Sequence, residues 1–260
     1  MYPTLFTIFG FRVDTYSVVW FIALSLAIVW AIKRLELYGL DEDEARTIMS
    51  VSFFCMLIGA RSPEYIAHWK MYLDKPSLLL DLNRGGLHEV GAITGAFLSA
   101  FIMSVFRRKI SFLKLCEAVA IPAMLAIAVG RWGCFLNGCC VGLHTDFFTA
   151  VHFPRDAEGF LRHPVQIYYS LVAFVIMFVL LFVEKKFTRY KSHSVIAPLA
   201  LILYSLMRLF VDYARVSAPL LFRIKHSWNY KLLVYALPLE LIWLAFGLYV
   251  KFDSESRKVL

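Results

Sequence analysis

Hydrophobic residues in this chain fall in long blocks separated by short polar stretches. The blocks cover roughly 15–33, 46–60, 88–106, 112–129, 164–184, 194–213 and 231–250. Crossing a bilayer as a helix takes about 20 mostly apolar residues. Backbone surrounded by lipid must also satisfy its own hydrogen bonds. The pattern therefore predicts an all-α, polytopic membrane protein with about seven transmembrane helices. The second block is short and is expected to tilt or stop early. Asp41-Glu42-Asp43-Glu44-Ala45-Arg46 reads as the acidic first turn that opens it. No repeat, low-complexity tract or linker breaks the series, so residues 1–260 read as a single integral membrane domain.

Composition agrees. The hydrophobic set makes up 60% of the 260 residues and charged residues 18%, against roughly 45–50% and about 25% in soluble domains. The mean hydropathy is +0.67. A net charge of +8 raises the question of nucleic acid. Basic residues also collect at the ends of membrane spans, so no nucleic-acid partner is expected. The N-terminus lacks a basic leader region, and charge rather than a small-residue cleavage site follows the first block, so no cleavable signal peptide is expected.

Charge also orients the chain. Totals on the two sides are nearly even, but Arg107 to Lys109 and Lys185 to Lys191 form compact clusters in short loops. Short loops carry the orienting signal. This predicts an N-terminus outside and a C-terminus in the cytoplasm. The long segments 61–87, 130–163 and 214–230, with most of the unusual polar residues, then fall on the outer face.

Three stretches carry candidate chemistry. Gly130-Arg131-Trp132-Gly133-Cys134-Phe135-Leu136-Asn137-Gly138-Cys139-Cys140-Val141-Gly142 follows the fourth block. It reads as a bent segment at a helix end, with glycines that let the backbone approach a ligand. Its arginine suits a phosphate-bearing head group. Arg208 and Asp212 are spaced i, i+4 and can pair, with Arg215 two turns beyond Arg208 on the same face. The bland reading of these charges is an ion pair at the membrane edge. Two helix starts carry histidines, Gly85-Gly86-Leu87-His88-Glu89 and His163-Pro164-Val165-Gln166. Either imidazole can accept a proton near neutral pH; the bland reading is an interfacial cap. Cys134, Cys139, Cys140 and His144 match no common zinc spacing, and no metal is expected. The cysteines are expected to pack, with a disulfide from Cys134 as the alternative on an oxidising face.

In this order, these segments resemble the prolipoprotein diacylglyceryl transferase family. The similarity runs from Tyr2-Pro3-Thr4-Leu5-Phe6, through Gly59-Ala60-Arg61, to about Arg215. Gly130, Arg131, Gly133, Phe135, Asn137 and Gly138 match its G-R-x-G-N-F-x-N-G-E motif. His163, Pro164, Gln166 and Tyr168 match H-P-S-Q-L-Y-E, and Arg208, Leu209, Asp212 and Arg215 match R-F-L-x-E-F-F-R. Tyr16 looks like a family tyrosine of the first span. Val90 stands where the family has a histidine, Cys139 where it has a glutamate and Tyr169 where it has another.

The resemblance implies transfer of diacylglyceryl from phosphatidylglycerol to the lipobox cysteine of a preprolipoprotein signal peptide, at a bacterial plasma membrane and without a cofactor. It makes Arg131 and Arg208 phosphate ligands. Tyr16, Asn137, Gly138, Gly142, Gln166 and Arg215 become substrate-binding residues, and His88, His163 and Asp212 compete as the base. A lipid- or lipoprotein-binding paralogue without catalysis is the alternative, and a transporter a more distant one.

Overall fold

The structure, a computed structural model, describes residues 1–8, 11–80, 88–107, 110–188, 195–215 and 237–248. It opens with an antiparallel hairpin of β1 (Thr4–Ile8) and β2 (Phe11–Asp14), which the block pattern did not foresee. Helices follow at all seven expected places. They are α1 (Thr15–Leu37), α2 (Glu42–Ala67) with the short α3 (Trp69–Asp74), α4 (Glu89–Arg107), α5 (Phe112–Leu136), α6 (Val165–Val183), α7 (Ile196–Asp212) and α8 (Leu237–Leu248). Two-residue strands β3 (Val151–His152) and β4 (Leu161–Arg162) pair in the loop between α5 and α6. Among the described residues, three helices are long and apolar enough to cross a membrane: Thr15–Leu37, Phe112–Leu136 and Val165–Lys186.

Two expectations need correction. The second helix is not short: α2 has 26 residues. Asp41 caps its start by accepting from the Glu44 N–H at 2.8 Å. It continues past Pro63, which offers no N–H to the carbonyl four residues back, that of Gly59. Ser62 Oγ donates to that oxygen instead, at 2.8 Å. Second, α5 does not end at residue 129. It runs to Leu136, so Gly130, Arg131 and Gly133 lie inside a helix rather than in a bend.

The chain divides into two compact units, residues 32–116 and residues 1–31 with 117–260. In the first of these, α2 packs on α4 through small residues. A Cβ on Gly59 would land on the Gly91 carbonyl, and one on Gly95 on the Cys55 carbonyl. One turn along the same seam, Ser99 Oγ donates to Ser52 Oγ at 3.0 Å. Glycine spaced i, i+4 lets membrane helices approach backbone to backbone.

The other unit has a core of Ile121, Met124 and Ala128 from α5, Val165, Tyr169, Ala173 and Leu180 from α6, and Ile196, Ala200, Tyr204 and Val211 from α7. Polar anchors fix the helices. Ser170 Oγ donates to the Ala128 carbonyl at 2.7 Å. The buried Glu117 carboxylate accepts from the N–H groups of Ile196 and Ala197 at 3.2 and 3.0 Å, capping α7 from another helix. The opposite face of α6 shows Leu171, Val175, Phe178 and Phe182, each more than half exposed. An exposed apolar stripe at helical spacing suits lipid, not water.

Candidate functional site

The site builds on the three helix ends of the larger unit. The last turns of α5 carry Arg131, and the two glycines beside it serve helix contact. A Cβ on Gly130 would lie 2.7 Å from the Trp20 ring of α1, and one on Gly133 would lie 3.2 Å from the Tyr16 carbonyl. Removing those side chains draws α1 close and places Tyr16 within electrostatic reach of Arg131. The glycines were expected to bring backbone to a ligand; they bring one helix to another.

Arg131 is only 6% exposed. Its guanidinium lies 4.2 Å from the ring centre of Tyr169 on α6. The guanidinium of Arg208 on α7 lies 5.8 Å from the same ring. Cations over an aromatic face are attracted to its negative quadrupole, so one tyrosine organises both arginines. The Tyr169 hydroxyl donates to Asp212 Oδ1. Arg208 Nε donates to Asp212 Oδ2 at 2.9 Å, as the i, i+4 spacing predicted. Arg208 Nη1 also donates to the Tyr204 hydroxyl at 3.3 Å. Arg215 lies beyond the end of α7, yet its Nη1 still approaches Asp212 Oδ1 at 3.7 Å. Two guanidinium groups, those of Arg208 and Arg215, thus share the Asp212 carboxylate, and that of Arg131 packs on the same Tyr169 ring; three cations gathered here suit an anion.

The loop after α5 returns to this cluster. Gly138 (φ +66°) and Cys140 (φ +59°) take left-handed backbone, which reverses the chain. The Cys139 carbonyl accepts from Gln166 Nε2 at 2.6 Å, and Gln166 is fully buried one turn before Tyr169. The Asn137 side chain turns to the Cys139 thiol. Gly142 is stitched between two segments. Its N–H donates to the His163 carbonyl at 3.1 Å, and it bridges to Arg215 on its other side. A Cβ there would collide with that carbonyl, so only glycine fits. His163 Nδ1 lies 3.1 Å from the Tyr168 hydroxyl, which shares a hydrogen bond of 2.6 Å with Thr149. Farther out, Arg162 makes a two-pronged ion pair with Asp156, both contacts at 2.7 Å, and this holds the Asp156 carboxyl below its usual range.

Tyr16, Arg131, Asn137, Gly138, Gly142, His163, Gln166, Arg208, Asp212 and Arg215 therefore belong to one unit. His88 belongs to the other. It precedes α4, donates its N–H to the Ala60 carbonyl at 2.8 Å, and sets Nε2 3.7 Å from Glu64 Oε2. Its Gly85-Gly86-Leu87 neighbours lie outside the described residues.

All five cysteines are free thiols. The sulfurs of Cys134, Cys139 and Cys140 lie within 4.8 Å of one another. Hydrogen bonds from Cys134 and Cys139, reinforced by the charges of Arg215 and Arg131, hold Cys140 well below the usual thiol range.

Sequence reasoning undervalued Tyr169 and Tyr204. Tyr169 reads as sharing a helix face with Gln166, and Tyr204 does not stand out. The available signal was their spacing: Tyr169 stands three residues after Gln166, and Tyr204 four before Arg208.

Comparison with known proteins covers nearly all of this architecture. The prolipoprotein diacylglyceryl transferase family matches residues 3–246. A phosphatidylglycerol–prolipoprotein diacylglyceryl transferase of Clostridium novyi (strain NT) is 33% identical over 227 residues, covering 85% of this chain and 87% of the relative. Proteins of the same name from Clostridioides difficile (strain 630) and Clostridium tetani (strain Massachusetts / E88) are 29% and 31% identical. Those matches each cover 83% of this chain, with 84% and 86% of the relatives.

Proposed function

This chain belongs to the prolipoprotein diacylglyceryl transferase family, and we propose that it moves diacylglyceryl from phosphatidylglycerol to the lipobox cysteine of a preprolipoprotein. The observation that carries the reading is the pair of buried arginines over one tyrosine ring. The thiolate sulfur attacks the glycerol C3 carbon, the C3–O bond to phosphorus breaks, and glycerol phosphate leaves. The phosphodiester carries one negative charge and the departing monoester up to two. Cations held in place before the reaction bind the second state more tightly than the first, which is what lowers the barrier. Arg131 and Arg208 fill that role, with Arg215 at the loop edge. Asn137, Gln166, Gly138 and Gly142 shape the loop that faces the head group, and Tyr16 closes the side contributed by α1.

The nucleophile is a thiolate, so a base must take the thiol proton. Asp212 has both oxygens engaged by Tyr169, Arg208 and Arg215, which supports an orienting role. His163 shares the unit of the arginines, and we assign it the proton. His88 is the second reading, favoured by Glu64, whose Oε2 lies 3.7 Å from its Nε2.

The reading treats the chain as one integral domain of a bacterial plasma membrane, with seven crossings, the N-terminus outside and the C-terminus in the cytoplasm. The test uses purified protein in phosphatidylglycerol vesicles with a lipobox peptide. Thioether product and glycerol phosphate are expected in equal amounts. Peptide binding without product would instead establish a non-catalytic paralogue, the alternative suggested by Val90 and Tyr169 at family motif positions. With activity in hand, His163→Asn and His88→Asn separate the two bases: replacing the true one abolishes transfer while peptide binding persists.

A further inference from the structure

The transfer reaction gives no work to the three thiols beside the arginines. Their arrangement is specific. Cys134 sits in the last full turn of α5, and the left-handed turn at Gly138 and Cys140 folds the chain back over it. Cys139 Sγ lies 3.6 Å from the Cys134 carbonyl. Left-handed backbone is unfavourable for any residue with a side chain, so Cys140 is held in a conformation that a packing residue has no reason to adopt. The outcome is three sulfurs, each within 4.8 Å of the other two, with Cys134 buried and the other two partly so.

From this geometry we infer that Cys134, Cys139 and Cys140 form a three-thiolate site for one soft, thiophilic cation with a filled d shell, Zn(II) or Cu(I). Three sulfurs around one ion at about 2.3 Å stand about 4 Å apart, so the trio needs only small side-chain shifts to close on it. Soft thiolate donors select such ions over hard ones. Among the described residues no fourth Cys, His, Asp or Glu donor joins the group, so the ion would be three-coordinate or keep one open position. Binding forms three sulfur–metal bonds and releases whatever protons the three sulfurs still carry, at most three. The complex is then anionic for either ion, and the charges of Arg131 and Arg215, which both act on Cys140, offset it. The spacing C-x4-C-C hides this site from the sequence, because the turn rather than the spacing brings the sulfurs together.

The consequence is local rigidity. The carbonyl of Cys139 holds Gln166, one turn before the tyrosine that organises both arginines. An ion on the thiols would lock that loop against α6. The site does not depend on the transferase reading, and its test does not use activity. Full-length protein, purified in detergent with reductant and chelator, is titrated with Cd(II) as an optical probe. Zn(II) and Cu(I) are then added in separate arms. Expected are about one ion per chain, a thiolate-to-cadmium charge-transfer band, and protection of Cys134, Cys139 and Cys140 from maleimide. Cys139→Ser and Cys140→Ser, at the less buried positions, should each weaken binding by at least about ten-fold. A Cys55→Ser, Cys116→Ser double variant should bind normally. Which ion binds tighter identifies the native one. No stoichiometric uptake by the reduced protein would overturn the site. So would uptake that survives loss of both Cys139 and Cys140, or a disulfide within the trio in protein taken directly from membranes.

Discussion

At the scale of single residues, the site depends on the order in which charges are held. Tyr169 supports Arg131 and Arg208 with its ring and Asp212 with its hydroxyl. Its two parts can be separated. Tyr169→Phe keeps the ring and should cost less than about ten-fold in kcat/KM. Tyr169→Leu removes both and should cost more, since cation–π contacts contribute roughly 0.5–2 kcal/mol each. Equal losses would remove the ring from the argument. At Asp212, an amide puts an N–H₂ where two or more donors now converge. Asp212→Asn should lose roughly 10–100-fold, about 1.4–2.8 kcal/mol of barrier, while Asp212→Glu keeps most activity. Complete loss in both would contradict an orienting role. Arg131 is the sharpest case. It is 6% exposed and stacked on Tyr169, so it is packed as well as charged. Lysine keeps the charge but not the planar fork that stacks and grips two oxygens. Arg131→Lys should therefore be severely impaired in transfer at normal protein level. Near-normal activity would reduce Arg131 to an interfacial anchor and leave Arg208 to hold the phosphate.

At the scale of helices, close approach is set by glycine. Gly130 meets the Trp20 ring and Gly59 meets the backbone of Gly91. The two cases differ in what can yield. An indole can tilt, while a carbonyl in a helix cannot. Gly130→Ala should destabilise by about 1–3 kcal/mol, the usual cost of overpacking, and Gly59→Ala by more, read as loss of thermal stability in detergent. The reverse ranking would show that the α2–α4 seam is looser than its geometry requires. The sequence made some of this legible and not the rest. Helix positions followed from apolar blocks, and the Arg208–Asp212 pair followed from i, i+4 spacing, because both depend on local periodicity. The end of α5 did not. Gly130 and Gly133 carry the same signal whether they break a helix or admit a neighbour, and only the partner, Trp20 or Tyr16, decides. Tyr169 was hidden for a related reason. A tyrosine inside an apolar helix looks like core until the arginines of two other helices are seen to converge on it. The cysteine trio needed a left-handed turn that no spacing rule announces.

At the scale of the whole molecule, the proposed reaction decides which way the arginine cluster has to face. A translocated lipobox lies on the outer side, so the reaction as proposed needs the arginine cluster there. That cluster lies at the ends of α5 and α7 and the start of α6, and the loop at 143–162 belongs to the same end. In the sequence, the clusters Arg107 to Lys109 and Lys185 to Lys191 stand before α5 and after α6. Dense positive charge in short loops stays cytoplasmic. Arg108, Lys109 and 189–194 lie outside the described residues. In a background without native cysteines, Glu158→Cys, at an exposed loop position, should react with a membrane-impermeant maleimide in intact cells. Lys109→Cys should react only after the membrane is opened. The paired design guards against a silent failure, because each position serves as the other's positive control. Labelling of Lys109→Cys in intact cells would invert the molecule. The arginines would then face the cytoplasm, out of reach of a translocated substrate, and the proposed reaction could not take place at this site.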